Sequence, residues 1–595
     1  MARGKFAEWL EADNILLIQS LARNGLSDEK IAHNMGIADS GVKSKLNFFL
    51  PPFESGIMLP KGGIFMSFRE NPAHQMNLLD DRFTSQSERT QKIILRSWAK
   101  PFAEHIFPKI NEQRFAPLYS DNSSSRPNTP VNILVSLMLI QEMFQLTDDD
   151  IVEAVTCDIR FQYAIHTTSL LEQPISDRSL SRFRERNCLY FQKTGKDLIQ
   201  EEIESLALVM CNVLDVNSSI FRMDSIMVEA NCRKMSRMET LYTAIQKVVK
   251  NITIKEGVAL PDNFTHYCET SDHNDLFYHS KATSTTDKLE RLIEDTSTLL
   301  TYATTYGQLP KVIDSFGILA TIFNQQTEIS DGNRVWKNGK DCLPSQIQNP
   351  ADTDATYREK QGDHIGYVGN MLETVDPNGK IIIVTDYQKN SYSDVQFCKD
   401  ALDKLGEQEQ PAKLITDGAY GSDEARKKAS KLNIELITTN LVGKKTDSCK
   451  GQFVMNEDMN TITHCPMGQS PEKCSYWDHE GGTFRLTMEK EKCQDCPLRD
   501  RCGIKFQKRV ATIQILKNTI HLARYKLLLL TPEYKAYARI RNGVEAIPSL
   551  LRRKYRVDCI PVHGLVRTKL RFFMKIGAIN VKRMIKSLEI KAKLA

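Results

Sequence analysis

Three acidic residues stand where a carboxylate could take part in metal-dependent chemistry. Asp417 ends an apolar, strand-like run in LITDGAYG, and Asp224 lies inside the strand-like segment FRMDSIMVE. Glu545 lies in RNGVEAIPSLLRRKY, a helical segment otherwise rich in basic residues. Carboxylates that converge from separate elements can hold two divalent cations about 3.5 to 4 Å apart, an arrangement suited to phosphoryl transfer. We therefore predict that Asp224, Asp417 and Glu545 converge to form a site for divalent cations.

Two of these carboxylates also have a purely structural interpretation. Asp417 could cap the helix that follows it, because aspartate is a favoured N-cap residue. Glu545 could form an ion pair inside its basic helix. Spacing favours the functional interpretation, since Arg541 and Arg552 stand four residues before and seven residues after Glu545, on the same helical face. A metal ligand and phosphate-binding cations would then share one surface.

Four cysteines have a spacing that suits a structural zinc site. Two of them form a Cys-x2-Cys hook, and the others lie 27 residues before it and five residues after it; they are Cys465, Cys493, Cys496 and Cys502. Four thiolates can close a tetrahedral Zn²⁺ site and hold together a small insertion that lacks a core. The alternative is four ordinary thiols. His464 and Cys474 are further candidate ligands.

The strand-like segments that would position the acids lie in the middle of the chain. They span residues 219–229, 364–375, 380–386 and 412–417. The second and third are joined by DPNG, a strong hairpin signal. Asp352 and Asp354, in NPADTDATY, are interpreted as turn formers before this hairpin, since aspartate favours turns.

The remaining regions are predicted to be mainly helical. Residues 66–200 contain a helix at 131–146 and an arginine-rich helix that starts after Ser176 and carries Arg182 and Arg184, two candidate phosphate contacts. The later divisions are a core in residues 215–440 with a helical insertion at about 232–345, a Cys-rich insertion in 441–515, and a basic helical end in 516–595.

Composition places the chain among soluble multi-domain proteins. It has 595 residues, of which 41% are hydrophobic and 26% charged, and single cores stop growing at roughly 250 to 300 residues. No apolar run approaches the roughly 18 residues that a membrane span needs. The charged start MARGKFAEWLEADN does not resemble a signal peptide. These features predict a cytoplasmic protein with reduced cysteines.

Charge is concentrated at the carboxyl end. The net charge of the chain is +5, yet residues 535–595 contain 16 lysines and arginines against three acidic residues. An excess of thirteen positive charges over about sixty residues repels itself unless a polyanion lies nearby. Nucleic acid is the predicted partner, and a solvated helix face is the plainer alternative.

The order of the acids and the segments around them resemble the DDE transposases of bacterial insertion sequences. The resembling branch places its catalytic glutamate in a Tyr-x2-Arg-x3-Glu-x6-Lys signature. The similarity covers residues 66–595 and includes SRPNTPVNILVSL, SDRSLSRFRER, QNPADTDATYREKQGDHIGYVGN and KIGAINVKRM.

This resemblance implies a ribonuclease-H-like α/β catalytic core with a helical DNA-binding region before it. It implies that Asp224, Asp417 and Glu545 are the catalytic triad and that Mg²⁺ is the cofactor. The implied partners are the terminal inverted repeats of the transposon and target DNA, with a homodimer in the synaptic complex. Water would nick the transposon end, and the freed 3′-hydroxyl would attack target DNA.

The sequence departs from the signature at two places. Three residues, rather than two, separate Tyr537 from Arg541, and Arg552 occupies the lysine position. Arg541, Arg552, Arg553 and Lys554 are expected to contact the phosphate backbone without reading bases, and the resemblance assigns Tyr537 to the DNA end. Two other functions share these features: a catalytically inactive DNA-binding relative, and a nuclease without strand transfer.

Residues 1–65 stand apart from the resemblance. FAEWLEADNILLIQSLARNGLSDEKIAHNMGI, within residues 1–46, is typical of the start of a helix-turn-helix protein. Residues 47–65 mix apolar residues with Pro and Gly without any period, which indicates a linker. We expect a fusion of a truncated helix-turn-helix with a transposase; an accessory DNA-binding domain is the alternative.

Overall fold

The computed structural model of the chain describes residues 66–71, 81–120, 125–170, 173–279, 285–359, 362–441, 446–478 and 482–594. The predicted helix-turn-helix fragment (1–46) and linker (47–65) lie outside the described residues. Within the described part of the chain, no helix is both long and apolar enough to cross a membrane.

The described residues of the first region contain seven α-helices: α1 (Glu88–Leu95), α2 (Ala99–His105), α3 (Val131–Phe144), α4 (Asp148–Cys157), α5 (Ile159–Ala164), α6 (Asp177–Thr194) and α7 (Leu198–Leu214). Helix α3 is apolar on every face and almost every residue in it is buried, as expected for the central helix of a bundle. Ser176 is the N-cap residue of α6, as predicted, but its hydroxyl contacts the Ser179 hydroxyl instead of capping a backbone N–H group.

Strand β1 (Ile220–Glu229) begins the central sheet, and the chain then enters the helical insertion. Its elements are α8 (Arg237–Lys250), α9 (Thr270–Asn274), α10 (Thr285–Thr301), α11 (Ala303–Tyr306), α12 (Ile313–Gln326), β2 (Thr327–Ser330) and β3 (Asn333–Trp336). The insertion has a hydrophobic core of its own. The β2–β3 hairpin inside it was not predicted.

The chain returns to the sheet through β4 (Thr356–Glu359), β5 (Asp363–Thr374), β6 (Ile382–Lys389), α13 (Asp394–Leu405), β7 (Ala412–Thr416), α14 (Asp423–Lys431) and β8 (Ile434–Thr438). The strand order is β4-β5-β1-β7-β8, and β6 pairs with β5. Strands β5 and β6 are antiparallel to their neighbours, whereas β7 and β8 run parallel to β1 and to each other. The predicted strands and the DPNG connection between β5 and β6 are confirmed.

The Cys-rich insertion folds around a small sheet. Its elements are β9 (Val454–Met455), β10 (Ile462–His464), β11 (Lys473–Trp477), β12 (Thr483–Glu489), α15 (Lys490–Gln494), α16 (Arg499–Cys502), β13 (Lys505–Phe506) and β14 (Val510–Leu516), with β11-β12-β14-β13 forming an antiparallel sheet. Buried apolar residues, including Phe484, Leu486 and Ile513, line its interior. The expectation that this insertion lacks a core is therefore wrong, because alternate residues of β12 and β14 face inwards together.

Four helices complete the chain: α17 (Lys517–Leu528), α18 (Pro532–Asn542), α19 (Ala546–Arg553) and α20 (Leu565–Leu594). Helix α20 packs against α3, α7 and β6. It thereby joins the first helical region and the sheet into one hydrophobic core. Many of its apolar residues, including Phe572 and Ile576, are fully buried.

Candidate active site

Asp224 and Asp417 lie at the same level on neighbouring parallel strands. In the pairing of β1 with β7, Arg222 stands opposite Ile415. Each aspartate is two residues farther along its own strand direction, so the two side chains start from adjacent positions at the carboxyl end of β7. Neighbouring strands are about 4.8 Å apart, which brings two carboxylates within reach of one bound cation.

The turn after Asp417 has little freedom. The Gly418 N–H group donates to the Asn440 side chain, and a Cβ at Gly418 would stand 2.5 Å from the Asn440 carbonyl oxygen. Helix α14 is capped by Ser422, whose hydroxyl accepts from the Ala425 N–H group. Asp417 makes no capping hydrogen bond. The interpretation of Asp417 as a helix cap is therefore wrong.

A buried polar cluster that the sequence did not indicate lies near Asp224. The Tyr420 hydroxyl donates to Asn370 Oδ1 at 3.0 Å. Burial, and then the charges of Asp224 and Asp394, raise the pKa of Tyr420 well above its ordinary value. Asp394 is itself paired with Arg358 at 3.1 Å. Tyr420 therefore stays a neutral hydrogen-bond donor beside the aspartates.

Glu545 reaches the same place from the carboxyl-terminal helices. The predicted continuous helix over 541–558 is interrupted: α18 ends at Asn542, a 3₁₀ turn spans Gly543–Glu545, and α19 follows. The Glu545 side chain is 60% exposed, against 14% for Asp224 and 29% for Asp417. It is therefore the most accessible of the three carboxylates.

Arg541 contacts all three carboxylates. Its Nη2 lies 3.2 Å from Asp224 Oδ2 and 3.9 Å from Asp417 Oδ2, and its Nη1 lies 2.6 Å from Glu545 Oε1. Arg541 and Glu545 lie next to each other on one face, as predicted. The three acids, which come from three separate elements, thus meet around one guanidinium group.

A buried arginine fixes the helix end that carries Arg541 and Glu545. Arg222 Nη1 donates to the Ile540 carbonyl oxygen at 2.8 Å, and Arg222 Nε donates to Glu373 at 2.6 Å. Glu373 is fully buried and also pairs with Arg583 at 2.6 Å. A Cβ at Gly543 would stand 2.1 Å from Arg222 Nη1, so a side chain there would displace the Arg222 guanidinium or the turn. Neither Arg222 nor Glu373 was predicted, because an isolated Arg in a strand carries no signal.

The donor set suits a divalent cation, although the side chains do not stand as ligands around one. Within the described residues, no three His, Cys, Asp or Glu side chains are spaced to hold a metal ion. Asp417 Oδ1 is buried and finds no hydrogen-bond partner among those residues. Arg541 balances at most one of three negative charges, and carboxylate oxygens are the ligands that Mg²⁺ prefers. A bound cation would balance the remaining negative charge and would give Asp417 Oδ1 a partner.

Tyr537 lies away from the acids. It packs against Ile415 and Ile437 on the sheet, and its hydroxyl donates to Glu533 at 2.7 Å and accepts from Lys413. Only 9% of its surface is exposed. The structure therefore places Tyr537 as a packing residue that anchors α18 on β7 and β8.

Some of the predicted phosphate contacts are hydrogen-bonded to other residues of the chain, and others are solvent exposed. Arg552 donates to Asp558 and to the Met227 carbonyl oxygen. Arg184 is held by Asp148 at 2.7 Å and by Gln141. Three other predicted residues are solvent exposed: Arg182, Arg553 and Lys554.

The four predicted zinc ligands line one cavity of about 30 Å³ in the Cys-rich insertion. The cysteines are Cys465, Cys493, Cys496 and Cys502. Burial, and then the neighbouring cysteines, raise the pKa of Cys502 to about 12. A fifth thiol, Cys449, contributes to that shift, and it was not among the predicted ligands. His464 is at the end of β10 and contacts Thr463.

Comparison with known families gives two matches. A family described as "Transposase DDE domain" matches residues 464–585, which include Glu545 and the four cysteines. A family described as "Transposase domain (DUF772)" matches residues 93–186, which include Arg182 and Arg184. Asp224 and Asp417 lie outside both matches. No curated protein and no solved structure matches the chain.

Proposed function

We propose that this chain, which is a DDE transposase of an insertion sequence by its family matches, cleaves DNA at the ends of its element and joins the freed ends to target DNA. The supporting observation is the meeting of Asp224, Asp417 and Glu545 around Arg541. Asp224 lies in β1, Asp417 directly follows β7, and Glu545 ends the 3₁₀ turn between α18 and α19, so the three come from segments that are far apart in sequence. A convergence of this kind is what a metal-dependent phosphoryl-transfer site requires.

We infer a ribonuclease-H-like catalytic core. Its support is the central sheet, in which β6, β5 and β1 are antiparallel and β7 and β8 follow in parallel. The acids stand at the carboxyl end of the parallel pair, where open α/β sheets place their ligands. The helical insertion lies between β1 and β4 along the chain, and the Cys-rich insertion follows β8.

Asp224, Asp417 and Glu545 would hold two Mg²⁺ ions. When bound, Mg²⁺ lowers the cost of forming the attacking oxygen nucleophile and stabilises the leaving oxygen. The chain's own residues position the ligands. The strands fix the two aspartates, Arg222 fixes the helix end that carries Glu545, and the exposed Glu545 faces the side from which DNA must enter.

Phosphate binding is proposed for the exposed basic residues near the site. Arg553 and Lys554, at the end of α19, and Arg182, on α6, are available to DNA. Arg552 would contact phosphate only after exchanging its Asp558 partner. Arg184 is bound to Asp148 and is a helix-packing residue in this arrangement. A homodimer that holds both transposon ends is part of the proposal.

The cysteine cavity is proposed to hold one structural Zn²⁺. Its support is the gathering of Cys465, Cys493, Cys496 and Cys502 around one cavity. Thiolate is the ligand form, so bound Zn²⁺ would displace the protons of the four thiols. The site would tie the α15–α16 segment to the loop after β10.

The test uses a labelled DNA duplex from the end of the element, in Mg²⁺. We expect Asp224→Asn, Asp417→Asn and Glu545→Gln each to cleave about a hundredfold or more slowly than the wild type, since loss of a metal ligand removes several kcal/mol of transition-state stabilisation. End binding should stay within about threefold, or 0.7 kcal/mol. Asp423→Asn, a change at an exposed aspartate close by in the chain, is the matched control.

The outcomes separate the possible functions. Wild-type cleavage by any of the three variants would remove that residue from the triad. Cleavage without joining to a target duplex would identify a nuclease, and binding without cleavage by the wild type would identify an inactive relative.

A further inference from the structure

The guanidinium of Arg541 occupies the space between the three carboxylates that the proposed function assigns to metal. It touches Glu545 on one side and both aspartates on the other, at 2.6, 3.2 and 3.9 Å. Its side chain is only 17% exposed. A fully charged group therefore fills the centre of the site.

The fit between Arg541 and the acids is incomplete. Arg541 Nε is buried and finds no hydrogen-bond partner within the described part of the chain, and Asp417 Oδ1 is in the same condition. Buried polar groups are rarely left without partners. The arrangement thus leaves one donor and one acceptor available to a further partner.

We propose that Arg541 is a resident counter-cation, which neutralises the acidic site before metal binds and competes with divalent metal for the same three carboxylates. The inference rests on the proposed function. Without a cation, three carboxylates this close would repel one another. A guanidinium is protonated at every accessible pH, so it cannot make room for metal by losing its charge. It must move.

The displaced guanidinium has an evident use. Arg541 stands at the end of α18, beside the exposed side chain of Glu545. Once metal has taken the carboxylates, the planar fork of donors is free to bind a phosphate in two places. Metal binding and phosphate binding would then favour each other, and such coupling is reciprocal.

The competition can be measured without DNA and without activity. The probe is Mn²⁺, titrated into the metal-free full chain, with free Mn²⁺ followed by electron paramagnetic resonance. We expect Arg541→Gln to bind Mn²⁺ about tenfold or more tightly than the wild type, since the competing charge is gone. Arg541→Lys, which keeps the charge and loses the fork, should lie between the two.

Arg539→Gln is the control for net charge. Arg539 is exposed and lies on the same helix two residues earlier, so its change removes one positive charge without touching the acids. Its Mn²⁺ affinity should stay within about twofold of the wild type. A gain equal to that of Arg541→Gln would show a long-range charge effect and overturn the proposal.

Thermal unfolding supplies an independent readout. Metal-free Arg541→Gln should unfold at a lower temperature than the wild type, because its carboxylates repel one another. Saturating Mn²⁺ should raise its unfolding temperature by more than it raises that of the wild type. If both Arg541 variants bind Mn²⁺ as the wild type does, or more weakly, Arg541 is not a competitor.

Failure of this inference differs from failure of the proposed function. If the double variant Asp224→Asn/Asp417→Asn binds Mn²⁺ as the wild type does, the metal is elsewhere and the proposed triad is wrong. If that variant loses Mn²⁺ while the Arg541 variants match the wild type, the triad stands and only the counter-cation role is overturned.

Discussion

At the scale of single residues, the position of Glu545 depends on a glycine two residues before it. Gly543 lies against the guanidinium of Arg222. The Arg222 guanidinium donates hydrogen bonds to Glu373 and to the Ile540 carbonyl oxygen, and moving it away from Gly543 would strain both. Glu545, the proposed catalytic glutamate, is thus placed by a contact that involves neither metal nor DNA.

We predict that Gly543→Ala slows end cleavage by about tenfold or more while the protein stays folded. The added methyl group would push the 3₁₀ turn away from Arg222, and overpacking of this kind costs about 1 to 3 kcal/mol. Small displacements of a catalytic group have large effects on rate. Cleavage rate and far-ultraviolet circular dichroism are the measurements.

The matched control for Gly543→Ala is Asn542→Ala, a change at an exposed neighbour in the same turn. It should cleave at close to the wild-type rate. Equal activity of the two variants would show that the turn tolerates a side chain and that Arg222 does not fix Glu545.

At the scale of elements, helix α20 completes the outer edge of the central sheet. Asn580 is fully buried. Its Oδ1 accepts from the Ile382 N–H group at 3.0 Å, and its Nδ2 donates to the Ile382 carbonyl oxygen at 2.8 Å. The side-chain amide thus gives the backbone of Ile382 the two hydrogen bonds that a neighbouring strand would give it at this edge of the sheet.

Asn580→Ala is expected to lower the free energy of unfolding by about 3 kcal/mol. The change leaves a buried donor and a buried acceptor of Ile382 without partners, each at a cost of about 1 to 3 kcal/mol. Urea denaturation followed by tryptophan fluorescence measures the loss. Lys586→Ala, at an exposed position on the same helix, should change stability by no more than about 0.5 kcal/mol.

The Cys-rich insertion is an element whose stability should depend on metal. We predict that the purified chain contains one Zn²⁺ and that Cys493→Ser/Cys496→Ser loses it, because two of four ligands are removed. Elemental analysis is the measurement. Cys157→Ser, at an exposed cysteine on α4, is the control and should keep the metal. Equal zinc content in the wild type and the double variant would contradict the prediction.

At the scale of the whole molecule, the cations at the basic carboxyl end of the chain fall into a paired group and an exposed group. Several of its cations are used inside the fold: Lys575 pairs with Glu142 at 2.8 Å, Arg583 pairs with Glu373, and Lys569 lies near Asp197 and Asp386. Others, such as Arg553 and Lys554, stay exposed. The surface available to DNA is thus narrower than the sequence count of positive charges suggests.

We predict that affinity for DNA falls steeply with salt and that Arg553→Ala and Lys554→Ala each make the slope of log K against log [salt] shallower by about 0.9. This is the change expected when one phosphate contact is lost. Fluorescence anisotropy at several salt concentrations is the measurement. Lys399→Ala, which removes a cation already paired with Glu424, should leave the slope unchanged; unchanged slopes for all three variants would place the DNA surface elsewhere.

The sequence by itself indicated strands β1, β5, β6 and β7, the hairpin between β5 and β6, and the three acids as candidates for one site. These features depend on local sequence. A short apolar run predicts a strand, and DPNG predicts a hairpin. An acid at the end of a strand, next to a glycine turn, can be recognised without knowing its partners. The order of Asp224, Asp417 and Glu545 along the chain was therefore enough to predict a shared site.

Only the tertiary structure decided how those residues are positioned and which groups balance their charges. Arg541 and Asp224 are 317 residues apart, and Arg222 and Ile540 are 318 apart, so no local pattern could pair them. The same holds for Tyr537, which the signature assigns to DNA and the fold packs on the sheet, and for the buried lysines of α20. Charge in a sequence can be counted, but whether it meets an acid or solvent depends on which surfaces the fold brings together.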